Sequence, residues 1–242
     1  MAAPSHYVVD VRGVKEVAIA GTADLAFWRD RLQAEGLYPT NDNGRAAVVI
    51  SATDLKWMGI RFNELSISVH VSRQADGRTV DGVFLVHAFN SKPLLALMER
   101  TFFQTPYYGG SIYGVTKSLP QMQLCAGQTL LFQASMVGQR LPEQQKAYLW
   151  EGPIYLPTKQ TKKKQAGRCF YGRISGSTKS YPFRVEDHLW LPLPPGDTVF
   201  HWLRESNFQA AEWQVRPQAR HAKSKTMNQA SPDHLTTTFA GS

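Results

Sequence analysis

Arg61–Ser72 reads RFNELSISVHVS, and its alternation decides the fold class. Leu65, Ile67, Val69 and Val71 alternate strictly with Glu64, Ser66, Ser68, His70 and Ser72, the period of two that a half-buried strand requires. One face is apolar, and the other carries a carboxylate, hydroxyls and an imidazole. A polar stretch containing Asp76-Gly77 supplies a chain reversal. Val83–Phe89 follows, apolar on both faces apart from His87, as a strand covered on both sides would be. The two segments are expected to pair antiparallel.

Outward from this pair, Asn90-Ser91 offers capping side chains, and Pro93 suits the first turn of a helix. Its apolar stripe holds Leu94, Leu95, Leu97, Met98, Phe102 and Phe103. Thr105-Pro106 should end that helix. Tyr107, Tyr108 and Gly109-Gly110 lead into a strand beginning near Ser111 that is expected to carry Lys117. Toward the N-terminus, Val14–Ala20 reads as a short strand, and Thr22 caps a helix stopped by Gly36. Ala46–Ser51 and Leu55–Arg61 read as further strands. Beyond Pro120, short strand-like segments punctuated by Gly and Pro reach a last helix capped by Asp197. The pattern is α+β and mainly β: a curled antiparallel sheet or barrel with a few flanking helices.

The chain has 242 residues, 27 Lys and Arg against 19 Asp and Glu, and a formal net charge of +8. The excess is local. Lys159, Lys162, Lys163 and Lys164 form one cluster and Arg216, Arg220, Lys223 and Lys225 another; without them the basic residues equal the 19 acidic ones. The expected organisation is one domain over residues 1–215, with a basic loop and a disordered basic tail over 216–242. Nucleic acid is therefore not expected as a partner. Cys125 and Cys169 lie in no C-x-x-C pattern, and the seven histidines show no ligand spacing, so neither a metal nor another cofactor is expected. The first residues show no export signal and no apolar run approaches 18 residues, so the expected location is the cytoplasm.

The middle of the chain resembles the acetoacetate decarboxylase-like superfamily, in particular its YqjF-like branch of uncharacterised proteins. The resemblance rests on Arg61-Phe62-Asn63-Glu64-Leu65, on Gly82-Val83-Phe84, and on Pro93-Leu94 through Phe102-Phe103 to Thr105-Pro106-Tyr107-Tyr108. A weaker match covers Gly167 to Ile174. It implies a cone-like or barrel-like β fold around an internal cavity, with the polar face of the Glu64 strand lining it and Leu65, Ile67 and Val69 packed outward. In true acetoacetate decarboxylases a Pro-Lys-Lys follows the helix, and its first lysine forms a Schiff base with the keto acid. Here Pro106 is followed by Tyr107 and Tyr108, so the nucleophile is missing at that place. In a second register, Gly114 to Pro120 resembles the same segment with Lys117 on the reactive lysine, and Ser118 replaces the second lysine that would activate it.

The candidate catalytic residues are therefore Glu64, Tyr107, Tyr108 and Lys117, with Arg61, His87 and Arg173 as candidate substrate-binding residues. Glu64 would act as general acid or base, the tyrosines as donors to a carbonyl or carboxylate oxygen, and an arginine would hold an anion. Three hypotheses stand side by side. One is a lyase-like enzyme using acid/base chemistry on an oxo- or carboxylate-bearing small molecule. The second is a non-catalytic small-molecule-binding protein, and the third is an interaction module working through the basic segments. Self-association into a homo-oligomer is left open.

Overall fold

The computed structural model describes residues 6–115, 117–158, 167–192 and 198–228. The basic cluster Lys159–Lys164 and residues 229–242 lie outside them. In chain order the elements begin with β1 (Val9–Asp24), α1 (Leu25–Leu32) and a 3-10 turn, Gln33–Glu35. Next come β2 (Tyr38–Pro39), β3 (Asn41–Asp42), β4 (Arg45–Trp57), β5 (Ile60–Ser72) and β6 (Gly82–Asn90). Then α2 (Pro93–Met98) widens into a π-type turn, Glu99–Phe103. The rest comprises β7 (Tyr107–Gly109), β8 (Ser111–Tyr113), β9 (Gln121–Ala126), β10 (Thr129–Ser135), β11 (Gln144–Leu156), β12 (Arg168–Pro182), β13 (His188–Trp190), α3 (Val199–Glu205), β14 (Gln209–Lys223) and β15 (Met227–Asn228).

The large sheet closes on itself in the order β5, β4, β1, β14, β12, β11, β6 and back to β5. Closure removes the free edges that a long sheet would otherwise expose. The ring is not wholly antiparallel as expected: β11 meets β6 in parallel through Ile154–Val83 and Tyr155–Phe84, and β7 also lies parallel to β6. A smaller sheet, in the order β13-β10-β9-β8, packs outside the ring.

The apolar face of β5 points outward. Leu65, Ile67 and Val69 are fully buried with Val48 and Ile50 of β4, Trp28 and Leu32 of α1, and Met122, Leu124 and Phe132 of the small sheet. Phe200 of α3 stacks on both Phe89 of β6 and Phe132 of β10, at 5.8 and 5.3 Å. Removing Leu65 to alanine from such a core costs ~2–5 kcal/mol. The inner face of the ring is left to surround a cavity.

Local chemistry sets the turns. The β4–β5 hairpin reverses at Met58-Gly59, both at positive φ (47° and 83°), inside the Leu55–Arg61 stretch that alternation alone reads as continuous strand. Strand β1 runs on past Thr22, so Asp24, not Thr22, caps α1, its Oδ1 accepting from the Phe27 N–H at 2.7 Å. Among the described residues no helix is long and apolar enough to cross a membrane.

The C-terminal segment corrects a boundary. Residues 216–223 continue β14, whose partners are β1 and β12, and β15 pairs with β12. Arg216 is 3 % exposed and ion-paired to Glu16, Arg220 pairs with Asp10, and Lys223 with Glu99. These cations are fixed by acids from other elements, two on β1 and one on the turn after α2, so they belong to the folded body.

Candidate functional site inside the ring

Alternation places Phe62, Glu64, Ser66, Ser68 and His70 of β5 on the interior face, where they line a cavity of about 650 Å³. A volume of that size suits a small-molecule site. Glu64 is half-buried against this space. Its Oε1 accepts from Asn90 Nδ2 at 3.0 Å and its Oε2 from the Tyr107 hydroxyl at 3.3 Å. Burial, with the charge of Glu99 added, pushes its carboxyl up to about 7, against the opposing pull of Lys223, Asn90 and Tyr107. The Tyr107 phenol is itself held well above its ordinary value, first by burial and then by Glu64 and Glu99.

Behind Glu64, Glu99 receives Lys223 Nζ on both oxygens, at 2.7 and 3.0 Å, and the Thr105 hydroxyl on Oε2 at 2.8 Å. The ammonium lies over the rings of Phe103 and Phe170, 4.6 Å from each centroid. The π-type turn after α2 carries Glu99, and the last residue of β14 carries Lys223.

Two strands along the wall, beyond β4, a second carboxylate has a different environment. Glu16 is 3 % exposed; its Oε1 accepts from the Ser51 hydroxyl at 2.8 Å and faces Arg216 Nη1 at 3.1 Å, and its Oε2 lies 3.1 Å from His221 Nε2. Burial alone would raise its carboxyl, but Arg216, His221 and Ser51 outweigh burial and lower it to about 2. Arg216 is held in turn by Thr178 (2.9 Å) and Gln214 (2.7 Å), and packs over the Tyr148 ring. Among the described residues no group of three His, Cys, Asp or Glu side chains is placed to hold a metal ion.

No family model matches the sequence, and no curated protein does. Solved structures do. An acetoacetate decarboxylase-like enzyme from Sphingomonas wittichii RW1 superposes with a TM-score of 0.61 at 13 % identity, covering 95 % of this chain and 100 % of that one. Acetoacetate decarboxylase from Legionella pneumophila gives 0.60 at 12 %, covering 95 % and 90 %. The enduracididine biosynthesis enzyme MppR, complexed with pyruvate, gives 0.58 at 14 %, covering 92 % and 89 %. This chain has the acetoacetate decarboxylase-like fold.

Within that fold the residues expected from sequence separate. Glu64 and Tyr107 meet in the cavity. Arg173 touches its wall, but its side chain is 45 % exposed and faces Glu151 at 3.7 Å. Tyr108 points the other way, 43 % exposed and stacked on His87 at 4.4 Å, because consecutive strand residues face opposite sides. His87 is turned out of the cavity by a bulge: Ile67 pairs with His87 but Ser68 pairs with Leu85, so Val86 is the extra residue. Val83 and Leu85 therefore face inward, and after the bulge Asn90 does, while His87 joins the outer face. Burial lowers its pKa to about 4.

Arg61 lies on the outer face of β5 and forms a bidentate pair with Asp54, at 2.8 and 2.5 Å. Lys117 is exposed on a bend after β8, which ends at Tyr113, so it lies outside both the expected strand and the cavity. The residues that sequence reasoning missed are Glu16, Thr53, Glu99, Arg216, His221 and Lys223, all lining the cavity. For β14 a signal existed: Trp213-Gln214-Val215-Arg216 alternates, with Trp213 fully buried.

Proposed function

We propose that this chain is an enzyme acting on an oxo- or carboxylate-bearing small molecule, with Glu64 as general acid and base and with no Schiff-base lysine. The observation that carries this is a half-buried carboxyl fixed by Asn90 and Tyr107 and raised to about 7, where both protonation states are populated at neutral pH. The chemistry such a pair supports is proton transfer next to a carbonyl. The Glu64 carboxylate takes a proton from the carbon beside the oxo group, the electron pair of that C–H bond forms a C=C bond as the carbonyl π pair moves onto the oxo oxygen, and the Tyr107 hydroxyl donates a hydrogen bond to the resulting enolate. The protonated Glu64 then returns its proton.

The acetoacetate decarboxylase fold and the pyruvate named in one similar structure support an oxo acid as substrate class. The YqjF-like branch remains the reading of the motifs around Glu64 and Tyr107. The test is deuterium incorporation at C3 of 2-oxo acids in heavy water, followed by proton NMR. Wild-type protein should exchange the C3 protons well above the buffer rate, and Glu64→Gln should lose that excess by ~100-fold or more. Exchange unaffected by Glu64→Gln would contradict the assignment. Both Glu64 oxygens are satisfied by the protein itself, and this favours a second reading, a non-catalytic ligand-binding cavity. Binding without any exchange would select that reading.

A further inference from the structure

Residues paired across neighbouring strands lie at one height in the ring. Asn90, Glu64, Thr53, Glu16 and Arg216 form one such row across β6, β5, β4, β1 and β14. On one side of the row the interior positions are Phe62 and its partner Leu55, with Val14 and then Val11 beside them and Leu95 of α2 above. On the other side Ser66, Ser51, Ser68 and His70 are interleaved with Val49, Leu85 and Val83. One stretch of the wall, Phe62, Leu55, Val14 and Val11, is thus continuously apolar and adjoins the row that holds both carboxylates.

Thr53 stands in the middle of that row. It is 7 % exposed and lines the cavity, yet its Oγ1 has no hydrogen-bond partner among the described residues. The flanking carboxylates do not turn to it: Glu64 is occupied by Asn90 and Tyr107, and Glu16 by Ser51, Arg216 and His221. A buried hydroxyl without a partner is costly, and it offers itself to a polar atom that enters the cavity. A three-carbon oxo acid would fill only a small part of about 650 Å³.

We propose that the ligand of this cavity is an amphiphilic oxo acid with a medium-length alkyl or aryl body. Its polar head accepts the Thr53 hydroxyl between Glu64 and Glu16, and its body runs over Phe62, Leu55 and Val14 toward α2. The inference rests on the proposed function for the oxo-acid head; the apolar body and the Thr53 contact rest on the cavity itself.

The experiment is calorimetric titration of the full chain at pH 7 with straight-chain 2-oxo acids from pyruvate to 2-oxodecanoate. The dissociation constant should fall roughly two- to fourfold per methylene, fourfold being the ~0.8 kcal/mol of a fully buried CH₂. Thr53→Val, nearly isosteric, should weaken every member by the same factor of ~10 without lowering the melting temperature. Val11→Phe, which narrows the space over that apolar stretch, should stop the gain at the longer chains and spare pyruvate. A dissociation constant independent of chain length overturns the proposal, as does a Thr53→Val series that matches wild type. A chain-length dependence without deuterium exchange would sustain this inference and remove only the catalytic reading.

Discussion

Glu64 and Glu16 sit in one row of the same ring, each paired across to Thr53, and yet the two ends of that row do opposite things with a carboxyl group. At the Glu64 end the neighbours are neutral donors, and the nearby Lys223 is already held by Glu99, so burial wins and the carboxyl rises to about 7. At the Glu16 end burial is deeper, but Arg216 points its guanidinium and His221 its Nε2 at the carboxylate, which is held at about 2. Burial therefore does not decide the role of a cavity carboxylate. The placement of compensating cations does, and it leaves one group free to exchange a proton while the other is a fixed anion that ties β1 to β14.

The comparison breaks most visibly in stability. Replacing Glu16 by glutamine leaves the Arg216 guanidinium buried without its anion and should cost ~3–5 kcal/mol at pH 7 by chemical denaturation. The folded pKa of Glu16 is lowered, so its contribution is full above pH 4.5 and is lost as pH falls toward 2, where mutant and wild type should converge. A Glu16→Gln variant as stable as wild type at pH 7 would mean that the two ends of the row do not differ.

Glu64 has the opposite sign and a smaller effect. A carboxyl whose folded pKa is raised binds its proton more tightly folded than unfolded, so folding loses stability as pH climbs from 4.5 to about 7. Glu64→Gln removes that penalty. The variant should match wild type near pH 4 and be more stable by ~1–3 kcal/mol at pH 8, a crossover readable from denaturation midpoints.

The smallest effect belongs to Lys117. Exposed on its bend, it should give no lysine adduct when the protein is incubated with acetoacetate or pyruvate and reduced with borohydride. Mass spectra of wild type and Lys117→Ala should differ only by the substitution itself. An adduct on Lys117 would restore the imine route, and one on Lys223 would make the cavity lysine a nucleophile.

Much of the Glu64 end was legible in sequence. The RFNELSISVHVS alternation puts Glu64 on the polar face, and Pro106-Tyr107 marks the end of the helix beside it. His87 was misplaced because alternation assumes an unbroken period, and a single bulge at Val86 carries it to the other side. The Glu16 end was not legible. Glu16 and His221 are 205 residues apart and meet only because the ring closes. Arg216 and Lys223 read as part of a charged tail because inward-facing cations on a strand look like solvated ones until their acids are known. The parallel join of β11 to β6 involves only Ile154–Tyr155 and Val83–Phe84, too short to leave a pattern of its own.

The most direct test is a carbon-13 NMR titration of the side-chain carboxyls in the intact protein, with Glu64 and Glu16 assigned by their glutamine variants. The account predicts that Glu64 titrates near 7 and that Glu16 stays ionised down to about 2. If Glu64 instead titrates near 4.5, like a free glutamate, the cavity holds no group poised for proton transfer at neutral pH and the proposed chemistry at Glu64 is wrong.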